Sequence, residues 1–324
     1  MFPDVKPVSL ADIQAAHRRL EKIALRTPLV RCDATAAGRD LWLKLENLQE
    51  IGSFKVRPIG NAVLSREHKA LERGIYTSSS GNSALGVAWM ASRLGIQATA
   101  VVPDNAPQAK LAGLRKLGAN IIVLPYEQWW RVIETGQHDG LEGLYVDAVR
   151  DPASLAGDGT IGIEIAENGA EIDAVFIPFG GGGLACGIAC ALKVLRPSVK
   201  IVACELTSAR PLQAAFAAGG PVPVDAAPGF VSGIGYDQVL PEMWPLLSSL
   251  VDEVVTITLD EVKAAIRVLV DTNHVVAEGA GAVSVAAALY GAHSHRRVCA
   301  VVSGGNLDPA LLAEFVMSDR SVSR

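Results

Sequence analysis

Along most of the chain, short apolar runs alternate with segments whose apolar positions recur at helical spacing. "SLADIQAAHRRLEKIA" (9–24) repeats apolar residues every three or four positions behind Ser9, a residue suited to cap a helix. "LWLKLEN" (41–47) reads as a short strand, and "PIGNAVLSREHKAL" (58–71) as one continuous helix opening on Pro58, since a first helical turn tolerates proline. "GIYTSSSGNSALGVAWMASRLG" (74–95) passes from strand through a polar turn into an amphipathic helix; "QATAVVP", "APQAKLAGLRKLGA" and "NIIVL" (97–124) repeat the unit. Between about residues 125 and 160 the pattern weakens into turn formers and irregular aromatics, which predicts irregular structure. The alternation resumes with "AVFIPFGGGGLACGIACALKVL" (174–195), "KIVACEL" (200–206) and "RRVCAVVSGGNLD" (296–308). Alternating strands and helices predict an α/β fold with parallel sheets covered by helices.

Length adds a division to this picture. A chain of 324 residues exceeds what one hydrophobic core usually supports, so two lobes are expected. The smaller is expected as an insertion over residues 50–146, in a larger lobe built from residues 1–49 and 147–324. Half of the residues are apolar and 19% charged, which suits a globular chain rather than a disordered one. The net charge of -5 comes without a basic run, so nucleic acid is not an expected partner. The start lacks a basic segment followed by an apolar run, and no stretch reaches the roughly 18 apolar residues of a membrane span. No membrane association and a cytoplasmic address are therefore expected. Five cysteines without a CxxC pair read as reduced core thiols; Cys186 and Cys190, at i and i+4, have no His or carboxylate beside them to suggest a metal.

Three turns carry chemistry. "PFGGGGLACG" (178–187) sets Gly180, Gly181, Gly182 and Gly183 between a strand and a helix. Unobstructed N–H groups there, with the positive end of the helix, form an anion cradle suited to phosphate. Its spacing fits neither dinucleotide nor P-loop patterns. "YTSSSGNSALG" (76–86) offers Ser79, Ser80, Asn82 and Ser83 at another helix start, more hydroxyls and amides than a cap requires, and suggests a carboxylate-sized anion site. "AVVSGGNLD" (300–308) taken alone is a strand-ending turn. With Lys55 in "GSFKVR" and no metal motif, the set suits pyridoxal 5'-phosphate acting on an amino acid: a lysine for the aldehyde, backbone donors for the phosphate and a third turn for the substrate carboxylate.

From "RTPL" through "LWLKLENLQEIGSFKVR", "SSSGN", "GGGGL" and "EGAGAVSVAAAL" to "VVSGGN", the chain resembles the fold-type II pyridoxal phosphate enzymes, in the serine/threonine dehydratase and serine racemase branch. The resemblance implies a tryptophan synthase β-like, two-domain architecture with parallel open sheets, in which the small domain closes over the substrate, and a homodimer. It implies that Lys55 bonds the cofactor, Phe54 packs near its ring, Asn82 reaches the ring hydroxyl, Gly180 to Gly183 with Leu184 hold the phosphate, Glu278 lies near the ring edge and Ser303 bonds the ring nitrogen. Ser79, Ser80, Gly81, Asn82 and Ser83 become the substrate-binding turn.

The expected reaction is deamination of a β-hydroxy amino acid, such as L-threonine, L-serine or a bulkier 3-substituted serine like phenylserine, to a 2-oxo acid and ammonia. The rivals are a racemase or another β-elimination or β-replacement enzyme on the same scaffold, and a non-catalytic amino-acid sensor, which the presence of Lys55 disfavours. Lys55, as a neutral amine in a dry site, removes the α-proton. The hydroxyl of Ser303 brings no charge to the ring nitrogen, which favours elimination over transamination. Ser80 stands where dehydratases of this branch often have alanine and the racemases a serine, so it is a second catalytic candidate. Ser83 and Leu85 replace the histidine and glutamine of many dehydratases, which points to a larger or more apolar substituent. Pro58 follows Arg57 where glycine is common. Glu205 and Ala209 fit the family's metal site, but Pro211 lacks the oxygen of the usual acid, so no metal is expected. The chain is expected to lack a C-terminal regulatory domain.

Overall fold

The computed structural model describes residues 2–34, 39–106, 108–227 and 229–317. In chain order its strands are β1 (Leu29–Cys32), β2 (Asp40–Lys44), β3 (Ile75–Ser78), β4 (Ala98–Pro103), β5 (Asn120–Leu124), β6 (Leu144–Tyr145), β7 (Ala174–Pro178), β8 (Lys200–Leu206), β9 (Glu253–Ile257) and β10 (Arg297–Val301). They form a six-stranded sheet, ordered β1-β2-β10-β7-β8-β9, and a four-stranded sheet, ordered β5-β4-β3-β6. Every pairing is parallel except β1 with β2.

The central strands β7 and β10 of the larger sheet read as nearly unbroken apolar runs because both faces are buried. Side chains alternate between faces: Ala174 and Phe176 join a core with helices Leu259–Asn273 and Gly279–Tyr290. Val175 and Ile177 join another with helices Pro152–Glu167 and Gly183–Leu195. The smaller sheet has its own core, in which Ile75, Ala98 and Val102 pack on helices Val56–Leu64 and Asn82–Leu94. Among the described residues no helix is long and apolar enough to cross a membrane. All five cysteines are buried and unpaired.

Two expected elements differ. The helix expected over 58–71 begins earlier, at Val56, and stops at Leu64; a separate turn spans His68–Leu71. Residues 65–70 are exposed, so no buried face holds that stretch helical. The region 125–160 is not irregular: it holds helix Tyr126–Thr135, β6 and most of helix Pro152–Glu167, capped by the Asp151 side chain on the Ala153 N–H at 2.9 Å. Gly157 and Gly159 are packing residues within helix Pro152–Glu167. A Cβ on Gly157 would lie 2.4 Å from the Arg57 carbonyl oxygen, so the helix approaches the start of helix Val56–Leu64 backbone to backbone.

A buried ionic network ties these pieces together. Arg57 Nε donates to Glu46 Oε2 at 2.8 Å, and its Nη1 to Glu164 Oε1 at 2.7 Å. Lys44 joins Glu164 and donates to the Thr27 carbonyl at 2.7 Å, while the Thr27 hydroxyl donates to Glu46 at 2.6 Å. Thus β2, helix Pro152–Glu167 and the segment bearing residues 54–57 are locked in one arrangement.

Candidate active site

In parallel sheets the strand C-termini share an edge, and the loops leaving them build the site. Here β7 leads into Gly180–Gly183, β10 into Ser303 and β3 into Ser79–Asn82. They meet around a cavity of about 320 Å³ whose lining includes every site residue expected from the sequence, from Phe54 and Lys55 to Glu278 and Ser303.

Lys55 precedes helix Val56–Leu64 as its N-cap. A short antiparallel bridge pairs Ser53 with Gly304; the Phe54 N–H donates to the Ser303 carbonyl at 3.0 Å, and the Gly305 N–H to the Gly52 carbonyl at 2.8 Å. The lysine turn is thereby fixed to the turn after β10. Lys55 Nζ lies 4.6 Å from the Phe54 ring centroid and makes no hydrogen bond among the described residues. Burial pushes the Lys55 ammonium down, with Asp158 and then Asp147 opposing the shift. A lysine left unpaired beside a cavity is suited to act as an amine base or imine former.

Asp158, missed in the sequence, sits on helix Pro152–Glu167 with no exposed surface, and neither carboxylate oxygen has a hydrogen-bond partner. A Cβ on Gly187 would lie 2.5 Å from Asp158 Cβ, so the acid is wedged against the helix that leaves the glycine loop. Burial pushes its carboxyl up to about 8, and the Lys55 charge pulls the other way. Without Asp158 the ammonium loses its principal opposing charge, so its pKa falls further and the neutral amine persists to lower pH. Asp158→Asn is therefore expected to move the pH midpoint for covalent cofactor attachment to the stripped enzyme downward; an unmoved or raised midpoint contradicts the coupling.

The glycine loop fits an anion. Among the described residues the N–H groups of Gly180, Gly181, Gly182 and Gly183 have no acceptor, and Gly183 opens the helix Gly183–Leu195. Gly182 takes φ 93°, a left-handed conformation that favours glycine. At Gly180 a Cβ would meet the Gly233 carbonyl oxygen at 2.4 Å. Gly233, beside Ser232 in an exposed loop, lines the cavity and was not singled out by sequence, because a lone glycine in a polar stretch carries no distinguishing pattern.

Beside the lysine turn, Asn82 Nδ2 donates to Glu278 Oε1 at 2.5 Å, and Asn82 Oδ1 accepts from Asn306 Nδ2 at 2.8 Å. Asn306 also donates to the Ile51 carbonyl at 2.8 Å. The three side chains join elements from both sheets. Asn306 belongs to the same "SGGN" turn as Ser303, and its role follows from this contact rather than from the turn pattern. The Ser303 hydroxyl makes no hydrogen bond among the described residues and borders the cavity.

In the polar turn, the Gly81 N–H donates to Ser79 Oγ at 3.1 Å, and Gly81 rather than a serine caps helix Asn82–Leu94. The N–H groups of Ser80, Asn82 and Ser83 have no acceptor among the described residues, leaving a second helix start open to an anion. Glu205 lies elsewhere in function: its carboxylate accepts from the N–H groups of Leu212 and Gln213 at 2.7 and 3.0 Å, at the start of helix Pro211–Ala218. Burial pushes it up to about 7. Among the described residues no group of three or more His, Cys, Asp or Glu could hold a metal ion.

An unpaired amine and four free loop N–H groups at a helix start fit a phosphate-bearing aldehyde cofactor, and a second open helix start lines the same cavity. The family profile described as "Pyridoxal-phosphate dependent enzyme" matches residues 20–304, and the chain belongs to that family. It is 35% identical over 319 residues to an L-threonine ammonia-lyase of Thermotoga maritima, covering 95% of this chain and 78% of that protein. It is 34% identical over 318 residues to a serine racemase of Homo sapiens, covering 93% of this chain and 92% of that protein. The fold superposes on the structure of maize serine racemase with a TM-score of 0.88 at 29% identity, covering 95% of this chain and 97% of that one. The architecture is that of fold-type II pyridoxal phosphate enzymes.

Proposed function

We propose that the chain is an ammonia-lyase that removes the β-hydroxyl and the amino group of a β-hydroxy amino acid, yielding a 2-oxo acid and ammonia. The observation that carries the reading is Lys55, whose unpaired amine faces the same cavity as the glycine cradle and the neutral hydroxyl of Ser303. The 35% identical relative bearing the name L-threonine ammonia-lyase supports it.

When bound, pyridoxal phosphate supplies an electron sink for the bond broken at the substrate α-carbon. Lys55 holds the cofactor and, as a neutral amine, takes the α-proton. Gly180 to Gly183 and Leu184 bind phosphate; Phe54, Asn82 and Glu278 border the ring. The turn Ser79–Ser83 orients the substrate carboxylate at the open helix start. Ser303 leaves the ring nitrogen without a counter-charge, which favours prompt loss of the β-hydroxyl. The small lobe, residues 50–146, closes over the substrate against the lobe of residues 1–49 and 147–324. The enzyme acts as a cytoplasmic homodimer with a small amino acid as substrate. Incubating the holoenzyme with β-hydroxy amino acids, while following 2-oxo acid and optical rotation, tests the reading: 2-oxo acid release is expected, and its absence with every substrate overturns it.

A second reading, minor racemisation, is favoured by Ser80. Its hydroxyl borders the cavity and makes no hydrogen bond among the described residues, so it does not cap the helix. In the racemases this chain resembles, a serine at this position returns a proton from the face opposite the lysine, and Ser80 is read in the same role. In Ser80→Ala, α-proton exchange with inversion is expected to disappear while elimination from L-substrates survives. Loss of both activities would assign Ser80 to the site's architecture instead.

A further inference from the structure

Behind the polar turn lies a second cavity of about 100 Å³, which shares Ser79, Ser83, Val149, Gly181 and Tyr236 with the 320 Å³ site. The two are neighbours across a wall in which Ser83 and Gly181 are small. Deeper in, the side cavity is bordered by Trp130, Ile133, Tyr145, Val146 and Leu240. Trp130 and Tyr236, from separate parts of the chain, have ring centroids 6.4 Å apart and close one side.

The charged groups in its lining are already satisfied. Arg150 Nε donates to Asp147 Oδ2 at 2.6 Å and its Nη2 to the Ile133 carbonyl at 2.5 Å, while the guanidinium lies 3.7 Å from the Phe2 ring centroid. Asp147 Oδ1 accepts from the Val149 and Arg150 N–H groups at 2.9 and 3.0 Å. The pair's side chains are 4% and 12% exposed. A charged arm entering here would be desolvated without a free counter-charge, whereas an apolar arm would meet aromatic and aliphatic walls. An apolar cavity of about 150 Å³ holds benzene, so this space of about 100 Å³ takes most of a ring or of a branched chain, with the remainder lying in the adjoining 320 Å³ site. The methyl group of threonine would leave most of it without contacts.

We propose that the side cavity is the specificity pocket for the β-substituent, and that it selects an uncharged, aryl-sized group. The proposal rests on the ammonia-lyase reading for its turnover arm only. A ring in this pocket displaces water from apolar walls and gains contacts that serine and threonine lack. Tyr236 and Trp130 then enclose the bound arm from two sides.

The test uses the holoenzyme and two kinds of probe. In turnover, kcat/KM for threo-3-phenylserine is expected to exceed that for threonine by about tenfold or more, the scale on which apolar pockets discriminate. In Ile133→Trp and Leu240→Trp, which fill the cavity, the phenylserine-to-serine ratio is expected to fall by a similar factor, whereas Ile133→Ala keeps the preference. In binding, the unreactive L-phenylalanine is expected to perturb the cofactor absorbance at about tenfold lower concentration than L-alanine or L-aspartate. Equal apparent affinities for the three, or a phenylserine preference untouched by both filling variants, overturn the proposal. Threonine or serine turned over faster than phenylserine overturns it as well. If no β-hydroxy amino acid is turned over while phenylalanine still binds preferentially, the lyase reading fails and the pocket stands.

Discussion

Lys55→Ala is expected to lower turnover of β-hydroxy amino acids by at least about 10³-fold, the loss that follows when a group serving as both attachment point and base is removed. No neighbouring amine is placed to substitute. Lys44 also lies near in sequence, but it is buried, donates to the Thr27 carbonyl at 2.7 Å and pairs with Glu164. The glycine loop does not depend on Lys55, so the variant should still take up cofactor without a covalent link. Turnover within tenfold of the unaltered enzyme would remove Lys55 from the chemistry.

Arg57→Leu is expected to cost about 3–5 kcal/mol of folding stability, because removing one member of a buried ionic group leaves its partners uncompensated. Arg57 is 1% exposed and bonds both Glu46 and Glu164, which are also buried. Burial pushes the Glu46 carboxyl up, but the Arg57 guanidinium outweighs it and holds that carboxyl below its usual range. Leucine matches some of the lost volume and none of the charge, which leaves Lys44 alone facing the carboxylates of Glu46 and Glu164, so one of them must ionise without a counter-charge or take up a proton. Arg66, whose ion pair with Asp151 is 40% exposed on the arginine side, is the comparison. Arg66→Ala is expected to cost about 0–1 kcal/mol. Urea unfolding of the two variants decides; a loss below about 1 kcal/mol for Arg57→Leu would show that the network is not what holds the lysine turn.

The parts of the site that could be read from the sequence are those whose chemistry is local. Gly180 to Gly183 announce a close backbone approach, and the structure gives two of them concrete causes: the Gly233 carbonyl against Gly180 and the left-handed φ of Gly182. Strands such as β7 and β10 are legible because burial on both faces makes them uniformly apolar. Ser80 reads locally as a cap, yet Gly81 holds that position, so its free hydroxyl is visible only in three dimensions. Helix Pro152–Glu167 is hidden for the opposite reason: Gly157 and Gly159 look like breakers, but they let the helix touch its neighbours. Asp158 is concealed with them. Its meaning depends on Lys55, about a hundred residues away in the chain, and on the absence of any hydrogen-bond partner for its oxygens among the described residues. Asn306 and Tyr236 carry no pattern of their own; each matters through a contact made across the fold.

Borohydride reduction of the holoenzyme, followed by peptide mapping, tests most directly whether Lys55 is the residue that makes and breaks the bond to the cofactor. The reduced cofactor should be found on Lys55 in the peptide containing "GSFKVR", and the visible absorbance should disappear on reduction. Label on Lys44 or on any other lysine, with Lys55 unmodified, would contradict the assignment.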